Sequence, residues 1–227
     1  ALFFFRRISP KKIFIILIPF LITTGIYLLI RHSVLQGFAD TGISMADNII
    51  TATKTFSTHI GTAFYILGLY VIKLFFPHPI SYDYSFNQIP VVEIGNIFSM
   101  LSILFYMAIG VYAVFILLNY LKKEKINIEQ RVIAFGILFF LITIFLFSNL
   151  VLIIGTSMGD RLMYFPSLGF CISIAVLFVK FLKIESINTQ QIFSNIKLLP
   201  VLAIVILFSI KTYSRNPDWK NNYTLYA

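Results

Sequence analysis

The sequence predicts an all-α fold, a polytopic membrane helix bundle of about five to six hydrophobic helices, and three observations carry that prediction. Of 227 residues, 59% are hydrophobic and 12% are charged, and mean hydropathy is +0.89, a composition that fits no soluble class. The net charge of +9 comes from Lys and Arg in short clusters that flank apolar runs. There they read as orientation signals and contacts to membrane lipid, so nucleic acid is set aside as a partner. The single cysteine, Cys171, lies just inside an apolar run, where it reads as a packing residue. It allows no intramolecular disulfide and no cysteine-based metal site.

The first run, residues 13–30, follows Arg6, Arg7, Lys11 and Lys12 and ends at Arg31. About 18 residues at ~1.5 Å each give ~27 Å, enough to cross a bilayer core, and Pro19 is tolerable because membrane helices accept kinks. The opening Ala1-Leu2-Phe3-Phe4-Phe5-Arg6-Arg7 lacks the order of a signal peptide, and the chain reads as a piece of something longer. Residues 33–59 are polar, with Asp40, Asp47 and Lys54, and are expected outside lipid. Residues 60–76 are apolar but marginal in length, with Lys73 near enough to their end to snorkel. The stretch 80–93 carries Asp83, Glu93 and the aromatics Tyr82, Tyr84 and Phe86 but no Lys or Arg, the pattern of an extracytoplasmic loop with an aromatic belt.

Residues 94–118 and 132–154 read as clear spans separated by Lys122, Lys123, Lys125 and Arg131. Residues 168–182 form a span that is short unless it starts earlier, and 196–210 form the last. The domain reading is therefore a multi-pass bundle over 1–210 with outer loops at 33–59, 77–93 and 155–167, then a stub at 211–227. The positive-inside rule puts the Asp83 and Asp160 loops and the C-terminal tail outside. A cytoplasmic N-terminus then conflicts with a full crossing by 60–76. Either that segment is re-entrant or interfacial, or the N-terminus is outside; a non-crossing or partly inserted 60–76 is the reading taken.

Catalytic signatures are scarce. There is no GxxxxGK[ST] and no HExxH, and His32, His59 and His78 are too widely spaced to suggest a metal, so none is expected. Gly155, Gly159 and Gly169 read as packing or helix-break positions rather than a phosphate cradle. The functional candidate is the loop that carries Asp160, Arg161 and Tyr164 between two apolar runs, because polar groups beside hydrocarbon are costly and usually serve a partner or substrate. Adjacent Asp160 and Arg161 would point apart on a helix, while Arg161 and Tyr164, three apart, would share a face. Pro166 suits the first turn of the next span. Arg161, at the interface, has the planar fork of donors that binds phosphate. The structural alternative is an Arg161 that snorkels to a headgroup, or pairs with Asp83 or Glu93 to close the bundle.

Gly159-Asp160-Arg161-Leu162-Met163-Tyr164-Phe165-Pro166-Ser167-Leu168-Gly169-Phe170-Cys171 resembles the acid-Arg-x-x-Tyr-x-Pro-Ser-x-Gly-Phe-Cys signature of the transmembrane and tetratricopeptide-repeat O-mannosyltransferases and their bacterial relatives. Asp47-Asn48 is similar to that family's Asp-Asn-Pro, with Ile49 in place of Pro. Pro77, Ile80-Ser81-Tyr82-Asp83-Tyr84-Ser85 and Ile89-Pro90 resemble its Pro-x-x-Leu-Ser-x-Asp-Trp-Ser…Ile-Pro, with Tyr84 in place of Trp. Arg215-Asn216-Pro217-Asp218-Trp219, followed by Leu225-Tyr226, is similar to the junction that leads into the first tetratricopeptide repeat.

The resemblance implies the C-terminal half of a GT-C type glycosyltransferase that moves a sugar, mannose above all, from a polyprenyl-phosphate donor to hydroxyls of an acceptor protein on the extracytoplasmic side. It implies an integral, multi-pass protein of a bacterial inner membrane or the endoplasmic reticulum, with no bound cofactor. The family's catalytic acid lies in an upstream loop that no residue here matches, and the stub at 211–227 would lead to repeats. On that reading Arg161, Asp160, Tyr164 and Asp83 are candidates for binding substrate or lipid phosphate, and the catalytic residues are unassigned. The alternative is a non-enzymatic membrane anchor or scaffold for a protein-binding repeat domain. The Asn222-Tyr223-Thr224 sequon has meaning only in a eukaryotic secretory setting.

Overall fold

The computed structural model describes residues 10–35, 43–84, 87–122, 125–182 and 199–221. Several expectations fall outside those residues: the Arg6-Arg7 pair, Asp40, Phe86, Lys123, the first three residues (196–198) of the last expected span, Leu225-Tyr226 and the sequon. The described residues are helical, with no strand among them, and the chain divides into two compact units, Ala1–Ser44 and Met45–Ala227.

The first unit holds α1, Pro10–Leu35, 26 residues long, or roughly 39 Å at the rise of an α-helix. Pro19 removes one backbone donor from its interior, and the Thr23 hydroxyl donates to the Pro19 carbonyl at 2.7 Å. Phe14, Ile18, Leu21 and Leu28 are all exposed within the unit. A helix that is apolar all round suits contact with lipid.

The second unit holds α2 (Phe56–Phe75), α3 (Ile97–Leu121), α4 (Ile128–Phe145), α5 (Tyr164–Phe181) and α6 (Leu199–Arg215), with short 3-10 turns at Ile49–Ala52, Asp160–Met163 and Asn216–Lys220. Each of α1 through α5, the last counted with its preceding turn, is long and apolar enough to cross a membrane. Helices α3, α4 and α5 pack side by side with alternating direction. Arg131 near the start of α4 lies over Tyr120 near the end of α3, and Phe140 farther along α4 stacks on Tyr106 at 6.0 Å. Lys180 at the end of α5 meets Glu129 at the start of α4, 3.9 Å apart.

The α4–α5 contact is backbone on backbone. A Cβ on Gly169 would stand 2.5 Å from the Gly136 carbonyl oxygen and 2.7 Å from the Phe140 nitrogen. The Ser173 hydroxyl donates to the Gly169 carbonyl at 3.0 Å and to the Ile133 carbonyl at 3.3 Å. Small residues replace hydrophobic force as the means of close approach, as expected where lipid is as apolar as the helix faces. Cys171 does not share in this packing: it is exposed, because it falls on the opposite side of α5 from Gly169 and Ser173.

Two boundaries differ from the sequence reading. The run 132–154 does not stay helical: α4 ends at Phe145, and Val151 and Leu152 are 72% and 71% exposed in an irregular segment. The span expected at 168–182 does start earlier, at Tyr164, with Pro166 buried in its first turn.

The segment 60–76 becomes an unbroken 20-residue helix, α2, whose N-terminus is closed by a capping box of Thr55 and Thr58. Its contacts are with one end of the α3–α5 group. Gly61 accepts from Ser99 Oγ at 2.8 Å, Leu67 accepts from the Tyr106 hydroxyl at 3.1 Å, Tyr65 meets Phe98 edge-on at 4.9 Å, and Phe75 meets Phe170 edge-on at 5.0 Å. Ser99 and Phe98 open α3, Phe170 lies in the second turn of α5, and Ile144 in the last turn of α4 joins the same apolar core as Ile66, Leu67 and Tyr70. Helix α2 therefore lies across the end of the group. Residues 87–96 reach back to its start, so that Val92 meets Thr62 through a hydrogen bond of 3.0 Å and Glu93 sits against Gly61.

Two tests follow from this packing. In a Cys171→Ser background, cysteines at Phe56 and Phe76, both exposed, are expected to react with a membrane-impermeant maleimide from the same side; labelling from opposite sides would mean that α2 crosses. Gly169→Val is expected to lower stability by roughly 1–3 kcal/mol through overpacking, read as a lower Tm in detergent, whereas Gly155→Ala, where nothing stands within 4 Å of the added carbon, is expected to leave it unchanged.

Candidate functional site

The candidate site is built from the two connectors at the α2 end of the molecule, and both are shaped by buried polar side chains. Asn149 has φ 55, left-handed backbone that Asn tolerates better than most residues. Its carbonyl accepts from His59 Nε2 at 2.9 Å, which requires a proton on that ring nitrogen. Its side-chain oxygen accepts from Asn48 Nδ2 and from Ile154 N, both at 2.9 Å, and its amide donates to the carbonyls of Thr156 and Ser157 at 3.3 and 3.2 Å. Asn48 also donates to the Ile154 carbonyl at 2.8 Å and accepts from Ile50 N at 2.9 Å. Ser157 adds two ties to the same segment: its hydroxyl accepts from Ile49 N at 2.8 Å, and its N–H donates to the Asp47 carbonyl at 3.2 Å. Asn48 and Asn149 are buried, so these bonds satisfy backbone groups that water cannot reach.

This scaffold aims residues 156–161 at residues 80–84. The Tyr84 N–H donates to the Met158 carbonyl at 2.9 Å and the Asp160 N–H to the Ser81 carbonyl at 3.3 Å. Tyr70, buried in α2, accepts from Gly159 N at 3.0 Å and donates to the Gly159 carbonyl at 3.3 Å. Gly159 leaves room for that approach, since a Cβ there would stand 2.9 Å from the Tyr82 carbonyl oxygen.

Asp160 and Arg161 diverge, as their adjacency requires. Asp160 Oδ2 accepts from Ser81 N at 2.8 Å and from the Tyr84 hydroxyl at 3.2 Å, while its Oδ1 is buried without a hydrogen-bond partner. Burial, reinforced by the Asp160 carboxylate beside it, pushes the Tyr84 phenol above its ordinary range, so it stays a donor at neutral pH. Arg161 lies with its guanidinium carbon 3.8 Å from the centre of the Tyr82 ring. The carboxylate near it is Asp83, at 4.0 Å, the outer limit of an ion pair. Asp83 is held from its other oxygen by the Thr156 hydroxyl.

Of the four residues singled out from sequence, Asp83, Asp160 and Arg161 come together. Tyr164 is 79% exposed and lines, with Asp160, Arg161 and Ser167, an open depression of about 470 Å³. Tyr82 and Tyr84 turn onto Arg161 and Asp160 rather than outward as a belt. A second cleft of about 260 Å³ lies between Tyr82, Asp160 and Arg161 on one side and Arg215, Asn216 and Trp219 on the other. Among the described residues no group of three or more His, Cys, Asp or Glu side chains is placed to hold a metal ion.

Sequence reasoning passed over Asn149, Tyr70 and Thr156. The Ser148-Asn149 pair within an apolar run was the available signal, since both residues compete with the helical backbone for hydrogen bonds. Tyr70 gave none, because in α2 it reads as one more aromatic.

Fold and composition define an integral, multi-pass membrane protein with a polar platform at one end of its helices. No family model and no solved structure matches the chain. Among curated proteins it is similar to protein O-mannosyl-transferase TMTC3 of Homo sapiens, 24% identical over 211 residues, 92% of this chain and 22% of that protein. It is also similar to protein O-mannosyl-transferase TMTC1 of Mus musculus, 27% identical over 188 residues, 82% of this chain and 18% of that protein. A shorter stretch, 83 residues or 35% of the chain, is 32% identical to protein O-mannosyl-transferase tmtc2 of Xenopus laevis. The chain is thus a relative of the TMTC-type protein O-mannosyl-transferases, and it spans about a fifth of the length of the first two.

Asn149→Ala is expected to cost about 1–3 kcal/mol for each buried partner left unpaired. Asn48→Ala should cost less than the same total, and the double variant less than the sum of the two, because the side chains share one bond. Thermal unfolding of the four proteins in detergent measures this coupling.

Proposed function

We propose that the chain is part of a membrane mannosyltransferase of GT-C type, and that Arg161 holds the phosphate of a polyprenyl-phosphate-mannose donor while the sugar passes to a hydroxyl of an acceptor protein. The observation that carries this reading is the placement of Arg161. Its guanidinium carbon lies 3.8 Å from the centre of the Tyr82 ring, only weakly engaged by Asp83, on a platform braced by buried hydrogen bonds, and it lines both an open depression and a cleft. Two parallel N–H groups of a guanidinium match a phosphate better than an ammonium does.

In the transfer, the acceptor oxygen attacks the anomeric carbon and the sugar–phosphate bond breaks. The negative charge that develops on the departing lipid phosphate falls to Arg161 to stabilise. Asp83, held by Thr156, stands at the outer limit of an ion pair with Arg161, and Asp160, tied to Ser81 and Tyr84, fixes the loop. The base that takes the acceptor proton belongs, on this proposal, to a residue outside these 227.

The same reading assigns sides and segments. Lys122, Arg131 and Lys180 gather at the end of the helices away from the platform, which by charge bias is the cytoplasmic end and leaves the platform outside. With α2 lying at the interface, both of its ends stay on the platform side, so no irregular backbone has to cross hydrocarbon. The segment 211–227 leads toward a repeat domain that presents or selects acceptors.

The test is mannose transfer from polyprenyl-phosphate-mannose to protein, in membranes carrying the full-length protein at matched expression. Arg161→Ala is expected to lower transfer roughly 100-fold, the scale of losing one preorganised donor to a developing oxyanion, with Arg161→Lys intermediate and Tyr164→Phe close to wild type. Normal transfer by Arg161→Ala would make Arg161 a structural pin. Absence of transfer by the unaltered protein from any lipid donor would favour a membrane anchor.

A further inference from the structure

The turn Asn216–Lys220 that follows α6 sits against the platform, with Trp219 in contact with it. Trp219 meets the Tyr82 ring edge-on, with centroids 5.8 Å apart and planes at 81°. Tyr82 is the ring on which the Arg161 guanidinium lies. Trp219 is itself 61% exposed, so burial does not account for its place. Its position is set by the turn, which Arg215 Nη1 and Asp218 Oδ2 close at 2.8 Å, and by Lys211 of α6, whose Nζ lies 3.1 Å from His78 Nδ1 at the start of the connector.

We propose that Trp219 is a positioning residue for Arg161: it braces Tyr82, and the braced ring fixes the direction of the guanidinium. The proposal rests on the reading of Arg161 as a phosphate-holding group. The Arg161 guanidinium and the Trp219 ring both meet the Tyr82 ring. Asp83 at 4.0 Å is too distant to orient Arg161 alone, while an aromatic face at 3.8 Å does so only if the ring cannot turn. Edge-to-face contact with a second ring is a geometry that aromatic pairs prefer, and it blocks rotation of Tyr82 toward the cleft. A consequence is coupling. Any partner or domain that moves the segment after α6 shifts Trp219, and with it the group proposed to hold the lipid phosphate.

Trp219 is the sole tryptophan of the chain, so its emission reports on the contact. The 227-residue chain in nanodiscs is labelled with ¹⁵N-arginine, and the Arg161 Nε–Hε signal is assigned by its loss in Arg161→Lys. In the unaltered chain that signal is expected to be shifted upfield by the Tyr82 ring current. Trp219→Ala is expected to return it toward the free-arginine position, Trp219→Phe to retain the shift, and Tyr82→Leu to abolish it while changing Trp219 emission. Farnesyl phosphate, as probe, is expected to bind Trp219→Ala roughly fivefold more weakly, the scale of one cation–π contact, and to show no further loss when Trp219→Ala is added to Arg161→Ala.

An unchanged Arg161 shift in Trp219→Ala, with helix content preserved and Tyr82→Leu still active in moving it, would overturn the brace. If the shift behaves as expected but Arg161→Ala binds farnesyl phosphate as tightly as the unaltered chain, the brace stands and the phosphate reading fails.

Discussion

The hydrogen bond from Asn48 to Asn149 joins residues 101 apart in sequence, and the polar platform depends on it. One amide turns Ile49–Ala52 into a cap for the irregular segment after α4; the other holds that segment in left-handed backbone at φ 55. Without this node, residues 150–157 have no regular structure to satisfy their N–H and C=O groups. An irregular segment beside hydrocarbon is stable only when such groups are paired within the protein. The four hydrogen bonds of the Asn149 side chain do that work locally, and they also determine where Asp160 and Arg161 emerge.

The apolar core complements this node. Ile66, Leu67 and Tyr70 of α2 pack with Phe140, Ile144, Met158 and Met163, so one helix covers the ends of its neighbours and supports both connectors from beneath. Tyr70 links the two kinds of force, since its ring belongs to the core and its hydroxyl both donates to and accepts from Gly159. The result is a platform rigid at its base, with Arg161 and Tyr164 open above it.

Much of the helical architecture was legible because a bilayer-scale apolar run is a strong signal, as for α1 and α3. The acid–arginine loop was legible for the converse reason, that charge beside hydrocarbon is rare. Two features were not. The apolar residues 146–154 read as a continuation of α4 by hydropathy, whereas the helix ends at Phe145 and the hydrogen bonds of Ser148 and Asn149 hold the segment after it in irregular backbone. Hydropathy likewise cannot tell a helix that crosses a membrane from one laid across the end of a bundle, since both need an apolar face, and α2 has the length and composition for either. Cys171 shows the same limit, because its residue type suggested packing and its helical phase made it exposed.

A photoactivatable polyprenyl phosphate tests most directly whether the platform is where a lipid phosphate rests. After irradiation of the protein in its membrane and digestion, the account predicts adducts on peptides containing residues 80–84 and 160–167, competed away by unlabelled polyprenyl phosphate and lost in Arg161→Ala. Adducts spread over the exposed apolar faces of α1 and α6, unaffected by competitor or by Arg161→Ala, would contradict it.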